Sequence, residues 1–151
     1  MSGAGTLFPP EREGDNGRME DVSVLVVDDQ APFRLAARAT LARTPGFTLV
    51  GEAADGSEVA AAVAATAPDL VLMDVNMPVM DGIDATRALL VDRPGTVVFL
   101  CSTYSIGELP EAAGTSGARG YVSKEDLSPQ LLVRLWEKAV ASGPHAGLLT
   151  G

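Results

Sequence analysis

The sequence contains one cysteine, Cys101, so no internal disulfide can form, and that usage favours an intracellular setting. It contains one histidine, His145, set in a Gly-rich tail with no ligand partner nearby. No apolar run approaches the ~18 residues of a membrane span. The first residues, MSGAGTLFPPEREGDNG, lack the basic start and apolar centre of a secretion signal. Basic residues are scarce, 11 against 20 acids, giving a net charge of −9. A duplex-binding surface normally needs a basic face, which argues against direct nucleic-acid contact by this chain. Charged residues make up only 21%, whereas hydrophobic ones make up 46%. That balance excludes a wholly disordered chain and supplies a core. A cytoplasmic protein without membrane contact is expected.

At 151 residues the chain is long enough for one domain. Residues 1–21 carry Gly, Pro, Ser and Asn and read as a flexible leader, with five acids against two bases. Residues 142–151 read as a short Gly-rich tail, too small for an element of its own. The body, 22–141, alternates short apolar runs with helical patterns. The runs are Val22–Val27, Phe47–Val50, Leu70–Met73, Val97–Cys101 and Gly120–Val122. Near-continuous apolar character is expected of strands covered on both faces. Helical spacing marks 31–43, with Phe33, Ala36, Ala37 and Leu41 on one stripe. It also marks 57–66, with Ser57 as N-cap, and 81–91. In the last helix, 128–141, Ser128 caps and Pro129 occupies the first turn. There Leu131, Leu132, Leu135, Trp136, Ala139 and Val140 form the stripe. Residues 105–116 hold Gly107, Pro110 and Gly114, so a short or broken helix is expected. Five strands alternating with helices predict an α/β parallel sheet with helices on both faces. Ligands then bind beyond the carboxyl ends of the strands, where strand order reverses.

Acids gather at those ends. Asp28 and Asp29 directly follow the first strand, and Asp74 follows the third. Each alone is an ordinary helix cap or strand-ending acid. Together on one edge they repel, and a hard divalent cation resolves the repulsion with oxygen ligands. A metal beside a carboxylate on a phosphate-binding edge suggests phosphoryl transfer, with an aspartate as nucleophile. Ser102 follows the fourth strand and Lys124 the fifth. A hydroxyl and an ammonium there would stabilise added negative charge. Cys101 and Trp136 read as core packing.

In VLVVDDQ (24–30), LVLMDVNMPVMDG (70–82), LCST (100–103) and GYVSK (120–124), the sequence resembles the receiver domain of two-component response regulators. The likeness covers 22–141 and is to receivers of the LuxR/NarL type, with no DNA-binding domain in evidence. DVNMPVMDG carries most of its specificity. The resemblance implies a flavodoxin-like, doubly wound, five-stranded parallel sheet in order 2-1-3-4-5, an order for which a receiver is a standard illustration. It makes Asp74 the phosphoacceptor. Mg2+ (or Mn2+) would be held by Asp29, Asp74 and the backbone carbonyl of Asn76, with Asp28 acting through bound water. Ser102 lies 28 residues after Asp74 and 22 before Lys124 and matches the switch hydroxyl. Tyr121 matches the aromatic switch, which rotates from exposed to buried on phosphorylation. Pro78 would stiffen the loop after the acceptor, and Gly82 would let the next helix approach. Lys124 is followed by Glu125, where many receivers have proline. Tyr104 is a bulky residue near the phosphoryl position.

The resemblance further implies a phosphoacceptor signalling domain rather than an enzyme, limited to self-phosphorylation and slow self-dephosphorylation. Its donor would be a sensor histidine kinase or a phosphotransfer protein. Its output would be an unidentified protein or a phosphorylation-dependent homodimer, reached through the face around helix 4, strand 5 and helix 5. Three alternatives stand beside this reading. One is the regulatory half of a DNA-binding transcription factor. Another is a pseudo-receiver that never takes phosphate, against which the acids and Lys124 argue. The third is an aspartate-nucleophile phosphatase, which would need an acid where Asn76 stands.

Overall fold

Alternating apolar strands and amphipathic helices produce the layered arrangement seen in the computed structural model, which describes residues 21–143 and 147–150. The leader 1–20 and His145 lie outside the described residues. The sequence predicts five strands; six are present among the described residues. They are β1 (Val22–Val27), β2 (Phe47–Ala53), β3 (Leu70–Asp74), β4 (Val97–Ser102), β5 (Gly120–Ser123) and β6 (Leu149–Thr150). The sheet order is β2-β1-β3-β4-β5-β6, with every pair parallel. The first five reproduce the 2-1-3-4-5 order. The sixth corrects the reading of the tail: Leu149 and Thr150 pair with Gly120 and Tyr121. Two residues carry no strand pattern of their own, and an open sheet edge supplies the missing partner.

β3 and β4 are buried along their whole length, as their unbroken apolar character requires. One apolar layer lies under α2 (Val59–Thr66), α3 (Gly82–Asp92) and α4 (Glu111–Gly114), using Val63, Ile83, Leu89 and Ala113. The opposite layer lies under α1 (Ala31–Ala42) and α5 (Pro129–Ser142), using Ala37, Leu41, Leu132 and Leu135. Each such Val, Leu or Ile contributes about 1.5–3 kcal/mol by leaving water. Trp136 sits half-buried against the second layer, edge-on to Phe47, and Cys101 is fully buried there. No helix among the described residues is long and apolar enough to cross a membrane.

Several local expectations need correction. β2 runs three residues beyond Val50, because Gly51, Glu52 and Ala53 continue the pairing with β1. Ser57 is not the cap before α2. Asp55 accepts from the Ser57 backbone N–H at 2.7 Å, and a short 3₁₀ turn, Gly56–Glu58, precedes the helix. Ala36 is exposed, and Thr40 takes the buried place beside Ala37 and Leu41. Val140 is 56% exposed, one position off the buried stripe of α5. Elsewhere the expectations hold. Ser128 accepts from the Leu131 N–H, and Pro129 opens α5. The fourth helical region is broken at Pro110, with a turn at Ile106–Glu108 before the four-residue α4.

Candidate functional site

β1 lies between β2 and β3, so the strand order reverses at their carboxyl ends. The chain leaves β1 at Asp28 and ends β3 at Asp74. One carboxylate oxygen each from Asp28, Asp29 and Asp74 lie within 4.8 Å of one another. Asp28 and Asp74 are buried, and Asp29 faces solvent. Asp28 is fixed on all sides. Its N–H donates to the Ala53 carbonyl and its Oδ1 accepts from the Gln30 N–H. Its carbonyl accepts from the Arg34 guanidinium at 2.7 Å, and Arg34 in turn faces Glu52.

Lys124 reaches the same cluster from the end of β5. Its Nζ stands 2.7 Å from Asp28 Oδ2 and 3.3 Å from Asp74 Oδ1. It also lies over the Phe33 ring, 4.8 Å from the centroid, within cation–π range. Burial pushes the Asp74 carboxyl up to about 6, and the Asp28 charge pushes the same way, against the pull of Lys124. Burial works to lower the Lys124 ammonium, but the Asp28 hydrogen bond and the two carboxylate charges outweigh it and hold it above its usual value. One ammonium therefore leaves the three-carboxylate cluster electrostatically unsatisfied. The donor set is all oxygen, partly buried and excess-negative, which fits a hard divalent cation.

Ser102 is buried next to the register pair Asp74–Cys101, and its Oγ accepts from the Tyr104 N–H at 3.0 Å. Tyr121 is buried at 4% exposure. Its hydroxyl donates to the Ser102 carbonyl at 3.2 Å and contacts the Tyr104 carbonyl. The inward place expected of a phosphorylated form is already occupied here. Burial holds this phenol above its ordinary range.

The loop after Asp74 is held from both ends. Val75 donates to the Cys101 carbonyl, and Gly82 donates back to the Val75 carbonyl. A Cβ at Gly82 would collide with the Asp74 carbonyl, so only glycine lets α3 begin this close. Asn76 is exposed in this loop, two residues after Asp74. Val79 has φ +73°, a left-handed conformation that is an outlier for a β-branched residue.

The structure thus brings Asp28, Asp29, Asp74 and Lys124 together and stacks Ser102 and Tyr121 behind them. Sequence reasoning missed Phe33 and Arg34. Phe33 was placed on the core stripe of α1, and helical spacing cannot show that its ring faces an ammonium from β5. Arg34 carries no signal beyond standing six residues after Asp28, in the first turn of α1.

Comparison with known proteins agrees with this geometry. The family model for the response regulator receiver domain matches residues 24–135. The transcriptional regulatory protein DegU of Brevibacillus brevis is 32% identical over 122 residues, 81% of this chain and 51% of DegU. A protein-glutamate methylesterase/protein-glutamine glutaminase of Geobacter metallireducens is 42% identical over 88 residues, 58% of this chain and 25% of the relative. This chain therefore spans about half or less of the length of these relatives. Among solved structures, a LuxR-family two-component response regulator from Aurantimonas sp. SI85-9A1 superposes with TM-score 0.74 at 29% identity, covering 87% of this chain and 91% of that one. The response regulator domain of Thermotoga maritima CheB gives 0.67 at 28%, covering 81% and 96%.

Proposed function

We propose a mechanism for this chain, which belongs to the response regulator receiver domain family: Asp74 accepts a phosphoryl group and the change is read at the β5 edge. The supporting observation is the placement of a buried Asp74 carboxylate 3.3 Å from Lys124 Nζ, in reach of Asp28 and Asp29. Asp29, Asp74 and the Asn76 backbone carbonyl would hold Mg2+ or Mn2+, with Asp28 acting through water. The cation would offset the mutual repulsion of the carboxylates and of the incoming phosphate.

Asp74 acts as nucleophile. One carboxylate oxygen bonds to phosphorus while the bond from phosphorus to the donor nitrogen breaks, leaving an acyl phosphate on the side chain. The donor is a phosphohistidine of a sensor kinase or phosphotransfer protein. Lys124 needs only a small shift from Asp74 Oδ1 to meet a phosphoryl oxygen. Ser102 Oγ, which now accepts from the Tyr104 N–H, turns to donate to another. That draws on the loop whose carbonyls hold the Tyr121 hydroxyl, so phosphorylation biases the packing around α4 and β5. The protein acts as a cytoplasmic signalling domain and not as an enzyme on other substrates. Asn76 stands where a hydrolase of this chemistry would place its acid.

Incubation with phosphoramidate and Mg2+, followed by intact-mass spectrometry, tests the reading. Wild type gains one phosphoryl group and Asp74→Asn gains none. Equal labelling of both would overturn it. A second reading, that the phosphorylated domain controls an attached or partner DNA-binding domain, is favoured by the match to about half of a transcriptional regulatory protein.

A further inference from the structure

The last described residues do something the family fold does not require. Gly147 has φ +76°, and the chain then runs alongside β5 as β6. The Leu149 N–H donates to the Arg119 carbonyl at 3.2 Å, and Lys138 Nζ donates to the Thr150 carbonyl at 2.9 Å. Leu148 packs against the layer under α2–α4, and Leu149 packs against the layer under α5. Successive side chains of a strand point to opposite faces, so this dipeptide closes both layers at the sheet edge. Gly120 suits the junction, since a Cβ there would press on Phe99 and Leu135.

The partner residues give the edge its meaning. Thr150 pairs in register with Tyr121. Tyr121 and Thr150 also line one groove of about 380 Å³, with Ser105, Ile106 and Asp126. Turned outward, the Tyr121 ring would enter this groove, whose wall includes Thr150 of β6.

We propose that the β5 edge is a strand-accepting interface occupied in cis by Leu148-Leu149-Thr150, and that its occupancy holds Tyr121 inward. Docking of this strand and loading of the Asp74 site therefore reinforce each other. Linkage makes the effect reciprocal: whatever factor the docked strand adds to ligand affinity, the ligand adds to strand docking. This rests on the receiver mechanism proposed above. A partner that adds a strand to β5 would have to displace β6, since main-chain hydrogen bonds at one edge serve one strand.

The test uses the full chain with Mg2+ and beryllofluoride, a phosphoryl mimic, and amide hydrogen exchange as readout. Binding should slow exchange at Leu149 and Tyr121. The variant Leu148→Ser/Leu149→Ser should bind beryllofluoride more weakly by about fivefold or more. Lys138→Ala, which loses only the contact to Thr150, should show a smaller loss and guards against misfolding of the double variant. Unchanged Leu149 exchange, with equal affinity in all three proteins, overturns this proposal and leaves the receiver mechanism standing. Failure of beryllofluoride to bind wild type overturns both. Leu149 protection that rises with protein concentration would assign the strand to a second copy and overturn occupancy in cis.

Discussion

Lys124 stands closer to Asp28 than to the proposed acceptor: its Nζ is 2.7 Å from Asp28 Oδ2 against 3.3 Å from Asp74 Oδ1, and Asp28 has no solvent exposure. Removing one partner of a buried ion pair strands the other charge, at a cost of about 3–5 kcal/mol. Lys124→Ala should therefore destabilise the metal-free protein by roughly 3 kcal/mol in urea unfolding. Mg2+ should recover part of the loss by supplying positive charge to the same carboxylates. Lys124→Met keeps the stem over Phe33 and should cost the same charge term. A metal-independent loss would contradict a shared cluster.

The Asp74 carboxyl gives a pH signature. Burial and the Asp28 charge raise it to about 6 from an ordinary 3.8. Between those values the folded state binds more protons than the unfolded one, so this group's contribution to stability falls as pH rises. Asp74→Asn removes the effect. The variant should match wild type near about pH 4, where the acid is protonated, and exceed it near about pH 7. At roughly 2–4 °C per kcal/mol for a domain of this size, the gain in melting temperature should reach a few degrees. Saturating Mg2+ should shrink it. Melting curves across pH, with EDTA and with Mg2+, measure this directly.

Gly82→Ala probes the approach of α3 to Asp74. The added Cβ would collide with the Asp74 carbonyl, so either the helix or the end of β3 must move. Overpacking of this kind costs about 1–3 kcal/mol. Because the displaced atom belongs to Asp74, phosphoryl labelling should fall further than stability. Parallel unfolding and labelling measurements separate the two effects.

Ala67 ends α2 in the left-handed region, φ +44°. A Cβ is strained there, and glycine is the residue this position favours. Ala67→Gly should stabilise the protein by about 0.5–1 kcal/mol and leave labelling unchanged. Chemical denaturation checks the first part and phosphoramidate labelling the second.

The strands and the acids that end them were legible because each depends on short-range signals, whereas the sheet order followed from the likeness to receivers. Unbroken apolar runs mark β1, β3 and β4, and Asp28, Asp29 and Asp74 follow them at once. Most of what was not legible depends on contacts between distant segments. Phe33 packs against the core as its spacing suggests, but nothing local shows that Lys124 lies over its ring. Leu149 and Thr150 look like tail until the edge of β5 is there to receive them. Ser57 resembles a cap, but it lies inside the 3₁₀ turn Gly56–Glu58, which Asp55 caps by accepting the Ser57 N–H. Val140 follows Trp136 at helical spacing, yet it falls one position past the buried Ala139 and is 56% exposed.

The central claim is that phosphate bonds to the carboxylate at position 74. Borohydride reduces an aspartyl phosphate to homoserine, a conversion that free aspartate does not undergo. Wild-type protein treated with phosphoramidate and Mg2+, reduced, digested and sequenced by mass spectrometry should yield homoserine in place of Asp74, and EDTA should abolish it. Homoserine at Asp28 or Asp29 instead, or at no position in fully metal-loaded protein, would contradict the account.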